Sequence, residues 1–140
     1  MSLPEAPPVW FRAAALLAVI WNAFGVVMYL SSVGMFGDPM AGLSEAERAA
    51  ASSIPGWITG VFATGTFAGL IGSVGLLLRK AWAHPLLIVS LIALLVLEGW
   101  ILFFSGAVEA FGITVPIMVS TLAILLAWLA TFARRRGWLA

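Results

Sequence analysis

The sequence predicts an all-α fold, a transmembrane four-helix bundle that forms one integral membrane domain over residues 1–140. Only 9% of the residues are charged and 63% are hydrophobic, whereas soluble domains carry about 25% charged residues. The mean hydropathy is +1.11. Four separate segments each supply the roughly 20 apolar residues that a spanning helix needs. Because lipid cannot satisfy backbone polar groups, such segments fold as helices.

The composition excludes several functions. The chain has no cysteine, which excludes disulfides, thiol redox chemistry and thiolate metal sites. His84 is the single histidine, so one chain cannot hold a haem between two imidazoles. No basic face is predicted that could neutralise nucleic-acid phosphates. The sequence predicts no metal, no cofactor and no nucleic-acid partner.

The four predicted spans are apolar runs bounded by polar, proline or charged residues. They cover about residues 9–33, 57–78, 85–104 and 113–133. A secretory signal peptide is the alternative for the first span, because Arg12 precedes its apolar run. That run is much longer than the roughly 7–15 residues of a signal-peptide core, which favours a membrane anchor.

The basic residues predict the orientation. One side of the four-span threading carries six of the seven Lys and Arg residues, and only Arg48 falls on the other side. By the positive-inside rule, both termini are predicted to be cytoplasmic, in the inner membrane of a bacterial cell. The six residues are Arg12, Arg79, Lys80, Arg134, Arg135 and Arg136.

The one long connection lies on the predicted outer side. Ser44, followed three residues later by Glu47, has the pattern of a capping box, and it predicts a short helix over about residues 45–53. Two interpretations stay open. The helix either rests on the membrane surface or acts as a lid over a site that opens outward.

Small residues predict where the helices pack, because backbones in lipid approach each other most closely at such positions. In the second span the packing residues are Gly65, Gly69 and Gly72. Packing within one chain is favoured over dimerisation. The first span offers a seam of Ala15, Ala18, Asn22, Gly25 and Tyr29. The third offers Leu91, Leu94, Glu98, Ile101 and Ser105, and the fourth offers Ser120, Ala123, Ala127 and Ala130.

A carboxyl group inside the third span is the main functional signal. Glu98 is predicted to lie on the order of 5 Å outside the midplane, level with polar residues of the other spans. With no cation at this depth, we expect Glu98 to be neutral or to exchange a proton. Intramembrane ionisable residues are often functional, but a hydrogen-bonded structural lock is an equally open interpretation. The predicted ligand- or proton-binding residues are Glu98, Asn22, Tyr29, Thr66, Ser120 and Thr121.

Several stretches resemble a group of small bacterial four-span membrane proteins. They are WNAFG (21–25), LLLRKAWAHPLLIVSL (76–91), VPIMV (115–119) and RGWLA (136–140), so the resemblance extends over most of the chain. Members of the group often carry the label "sugar transporter". The resemblance implies a role in transport, and it assigns no role to any single residue.

Three functions follow as expectations. The first is binding or transport of a small polar solute or a proton around Glu98 and Asn22, with transport requiring a homodimer. The second is an accessory subunit packed within a larger membrane complex. The third is a lipid-modifying enzyme with Glu98 as acid or base, although no catalytic motif supports one. The lipid bilayer is the partner in all three.

Overall fold

The computed structural model describes residues 6–140, and within that range it is helical without a strand. The predicted all-α class is therefore confirmed. Of the six helices in this range, four are long and apolar enough to cross a membrane, which makes the chain a multi-pass membrane protein. The helices are α1 (Val9–Ser32), α2 (Glu45–Ser52), α3 (Gly56–Leu77), α4 (Ala83–Phe104), α5 (Ala107–Phe111) and α6 (Thr114–Arg135).

The helix bounds fall within two residues of the predicted ones. The third span begins at Ala83 rather than at Pro85. Proline is tolerated in the first turn of a helix because the backbone N–H groups of that turn have no helical partner, so the N–H that proline lacks is not missed. Helix α5 is the element that the sequence did not predict. It follows Gly106, whose φ of 65° is left-handed, and the Ser105 hydroxyl accepts a hydrogen bond from Ala107 N at 2.9 Å.

Helix α3 is central to the bundle. It packs against α1 on one side and α4 on the other, and α4 also packs against α6. The predicted glycines lie at these contacts. A Cβ at Gly65 would lie 2.8 Å from Leu94 of α4, and a Cβ at Gly72 would lie 2.8 Å from Leu87. Glycine at these positions therefore lets α3 and α4 approach more closely than alanine would.

The two ends of the bundle differ in charge. The start of α1, the α3–α4 turn and the end of α6 share one end, where Phe11, Leu76, Ala83 and Trp138 form a common buried cluster. We call it the basic end, because it carries the six basic residues other than Arg48. The opposite, acidic end holds α2 and α5, which contact each other. Its acidic residues are Asp38, Glu45, Glu47 and Glu109.

Helices α3 and α6 end in the same way at the basic end. Arg79 and Gly137 follow the two helices with φ values of 61° and 68°, and each helix closes with the hydrogen bonds of a Schellman motif. Arg79 is the costlier choice, because a left-handed conformation disfavours residues with a Cβ. Its side chain contributes in return, since Arg79 Nε donates to Trp138 O at 3.0 Å.

Candidate functional site

Five polar side chains are buried within the described part of the chain. They differ in whether their polar atoms have hydrogen-bond partners within the protein. Four belong to hydrogen bonds between or within helices, and one carries an oxygen with no partner. The five are Asn22, Thr66, Ser73, Ser90 and Glu98.

Asn22 belongs to a closed hydrogen-bonded contact between α1 and α3. Its Nδ2 donates to Ser73 Oγ at 3.0 Å and to Ala18 O at 2.9 Å. Its Oδ1 lies so close to the backbone of Gly69 that a Cβ there would overlap it. Ser90 of α4 lies against the same glycine and donates to Gly65 O at 2.7 Å. This level of the bundle is filled and leaves no room for a solute at Asn22.

Glu98 is buried, but one of its carboxyl oxygens makes no hydrogen bond. The side chain is 5% exposed, and its Oε2 atom is enclosed with no hydrogen-bond partner in residues 6–140. Leu97, the preceding residue, packs with Ile58 of α3 and Ala123 of α6 in an apolar cluster. An unpartnered carboxyl oxygen thus lies next to an apolar cluster, which solvates it poorly.

The face of α4 that carries Glu98 points between two neighbouring helices. His84, almost four turns earlier on nearly the same side, contacts Thr131 of α6 at 3.2 Å. Leu94, one turn earlier than Glu98, lies against Gly65 of α3. With roughly 3.6 residues per turn, Glu98 therefore faces the bundle interior, between α3 and α6.

The predicted single polar layer is in fact two levels. Asn22 and Ser90 both lie against Gly69, whereas Glu98 comes eight residues after Ser90, which is about 12 Å along the helix. The prediction placed each residue relative to the middle of its own span. The helices are staggered, however, because Tyr29, three residues from the end of α1, packs against Phe62 and Phe67, which lie one to three turns inside α3.

The other predicted residues do not converge on Glu98. The hydroxyl of Thr66 donates to Phe62 O of its own helix at 3.0 Å, and exposed Thr121 donates to Ile117 O at 2.7 Å. Such back-bonding is usual for hydroxyls within helices. The Tyr29 ring packs edge-on against Phe62. Ser120, half-buried on α6, lies on the helix that faces Glu98.

Sequence reasoning missed two buried polar residues at the level of Asn22, namely its partner Ser73 and Ser90, which bonds to Gly65 O. Both carried a usable signal. Ser73 follows Gly69 by four residues and so lies on the same face of α3. Ser90 has the spacing that places it with Leu87 and Leu94 on the face of α4 that meets α3.

A depression of about 380 Å³ lies at the acidic end, between α2 and α5. Ser105, at its edge, is seven residues after Glu98 and shares its face of α4. The depression therefore lies above Glu98, roughly two turns further out. A second, apolar depression of about 300 Å³ lies on the flank of α3 and α4, along Val61 and Val96. Neither depression is lined by Asn22 or Glu98.

Within residues 6–140, no group of three or more histidine or acidic side chains could hold a metal ion. The fold and this geometry define a class, a multi-pass helical membrane protein with one unsatisfied carboxyl group in its interior. Comparison with protein-family models, curated proteins and solved structures finds no match for the chain.

Proposed function

We propose that this chain is a four-span protein of a bacterial inner membrane that binds a small polar solute or a proton at Glu98. One observation carries the proposal, namely the enclosed Oε2 atom without a partner. An unsatisfied buried acceptor costs a protein about 1–3 kcal/mol. A buried group without a partner calls for an explanation, and an ionisable residue within a membrane span most often marks a binding or proton site.

The surroundings of Glu98 favour a solute that brings hydrogen-bond donors. The carboxyl oxygen accepts hydrogen bonds, and the acidic end above it carries four acidic residues against Arg48. Such a surface concentrates cations and disfavours anions. A protonated amine, a polyol or a proton fits this chemistry, and the depression between α2 and α5 is the proposed approach.

Orientation and assembly follow as parts of the same proposal. The basic end faces the cytoplasm, in accordance with the positive-inside rule, so the acidic end and its depression face outward. Transport, as opposed to binding, would use a homodimer, because four helices supply only one half of a typical two-repeat pathway.

An accessory subunit is the second candidate, and the Asn22 contact favours it. A filled, hydrogen-bonded seam at Ser73 and Gly69 is what a purely structural bundle requires. The enzyme alternative is weaker. It requires a second titratable group within hydrogen-bond reach of Glu98, and Oε2 has no partner in the described residues.

A ligand-stabilisation screen tests the proposed function. The purified chain is heated with a panel of amines, sugars and polyols, and unfolding is followed by tryptophan fluorescence. We expect at least one solute to raise the melting temperature of the wild type and of Glu45→Gln but not of Glu98→Gln. Glu45 is the matched control because it is an exposed carboxylate at the same end that does not line the depression. Identical responses of Glu98→Gln and the wild type to every solute contradict the proposal.

A further inference from the structure

A cluster of aromatic rings joins α1 to the end of α6 at the basic end. The Trp10 ring lies 6.4 Å from Phe132 and 6.0 Å from Trp138, measured between centroids. Phe132 and Trp138 are 5.5 Å apart. Phe132 also stacks on Trp128 at 5.5 Å. Trp10 and Trp128 keep about half of their surface, so one side of the cluster faces the surroundings of the protein.

Two guanidinium groups are anchored to this cluster. The Arg136 guanidinium carbon lies 5.1 Å from the centre of the Phe132 ring, within the range of a cation–π contact. Arg79 is held through its Nε, which donates to Trp138 O at 3.0 Å. Both contacts leave N–H groups of the planar forks available, and such forks match phosphate oxygens in bidentate geometry.

The charge and the membrane setting indicate what these groups bind. No acidic residue of the described chain lies at the basic end. Glu98 lies in the half of the bundle nearer the acidic end, and the other acidic residues of the described chain are at the acidic end itself: Asp38, Glu45, Glu47 and Glu109. Exposed tryptophans are typical of the depth at which lipid headgroups begin. A guanidinium held on a ring at that depth is suited to the phosphate of a phospholipid, whose acyl chains would lie along the neighbouring apolar helix surface.

We propose that the cluster of Trp10, Phe132, Trp138, Arg79 and Arg136, here called the basic-end cluster, is a binding site for the headgroup of an anionic phospholipid. The headgroup phosphate pairs with Arg136 and Arg79. The acyl chains cover the rings and the exposed apolar residues of α1 and α6 next to them. This site is distinct from Glu98, lies at the opposite end of the bundle and serves to hold α1 against α6.

Lipid titration tests the site on the whole chain in a nonionic detergent. Phosphatidylglycerol or phosphatidylcholine with the same acyl chains is added, and thermal unfolding is followed by tryptophan fluorescence. We expect phosphatidylglycerol to raise the melting temperature and phosphatidylcholine to leave it nearly unchanged. Arg136→Gln should require about five-fold more phosphatidylglycerol for the same shift, because one basic residue near an anionic surface contributes about that factor. Arg48→Gln, the matched control at the acidic end, should behave as the wild type.

Two further variants separate a built site from general positive charge. Phe132→Leu removes the ring under Arg136 but keeps the charge, and we expect it to weaken the phosphatidylglycerol response as well. Arg136→Lys keeps the charge without the planar fork, and its phosphatidylglycerol response should be intermediate between those of the wild type and Arg136→Gln. It replaces Arg136→Gln in the test if that variant does not fold. Equal responses of Arg136→Gln and Arg48→Gln, or a wild-type response of Phe132→Leu, overturn the proposal. The proposal is also overturned if inorganic phosphate raises the melting temperature as much as phosphatidylglycerol does.

Discussion

Replacing Glu98 with methionine should make the protein more stable. Methionine is unbranched and of similar length, and it brings no hydrogen-bonding group into the apolar cluster around Leu97. The change removes an enclosed acceptor without a partner, a condition that costs about 1–3 kcal/mol. We therefore expect Glu98→Met to raise the free energy of unfolding by about 1–2 kcal/mol and to abolish any solute response.

The matched change at Asn22 should have the opposite sign. Asn22→Leu removes the hydrogen bonds to Ser73 and Ala18 and leaves the fully buried Ser73 hydroxyl without its donor. Interhelical hydrogen bonds in membranes contribute about 0.6 kcal/mol on average, and a buried group left unpaired costs more. The expected loss is about 1–2 kcal/mol.

Unfolding in mixed micelles with increasing SDS, followed by tryptophan fluorescence, measures both changes. The seven tryptophans give a strong signal. A destabilising effect of Glu98→Met as large as that of Asn22→Leu would refute the reasoning, because it would mean that the carboxyl group is a satisfied lock.

Two further predictions concern backbone contact and pH. Gly69→Ala should lower the free energy of unfolding by about 1–2 kcal/mol, because the added Cβ overlaps Asn22 Oδ1 and overpacking outweighs the gain in helix propensity. Gly60→Ala, with nothing within 4 Å of its Cβ, should be neutral or stabilising in the same assay. The pKa of Glu47 is lowered by hydrogen bonds from the backbone and the hydroxyl of Ser44. The stabilisation of α2 by the Glu47 carboxylate is therefore complete above the ordinary carboxyl pKa and is lost as the pH falls through the lowered pKa. NMR titration of Glu47 measures this pKa, and Ser44→Ala should move it back toward the ordinary value.

The long helices were predictable because their signals are local. Each span is an apolar run of sufficient length with proline, glycine or charge at its bounds. The capping box is confirmed, since Ser44 N donates to Glu47 Oε2 at 2.8 Å and Glu47 N donates to Ser44 Oγ at 3.3 Å. Helix α5 escaped prediction because it has only five residues and depends on the left-handed Gly106.

The candidate site was predictable in its residues but not in its arrangement. The sequence singles out Glu98 and Asn22 as polar groups in apolar surroundings. It does not specify how far neighbouring helices are staggered, and that stagger places the two residues about two turns of helix apart. Nor does it specify which hydroxyls turn toward a neighbour. Ser73 does so, whereas Thr66 bonds back to its own helix.

Thiol accessibility tests most directly whether a solute from the acidic end reaches buried Glu98, as we propose, while the Asn22 contact stays closed. The chain has no cysteine, so Glu98→Cys and Ser73→Cys each carry a single thiol. A small water-soluble thiol reagent, added to proteoliposomes from the side of the acidic end, is expected to label Glu98→Cys. It should not label Ser73→Cys, whose position is fully buried between α1 and α3. Equal protection of the two thiols would contradict the account.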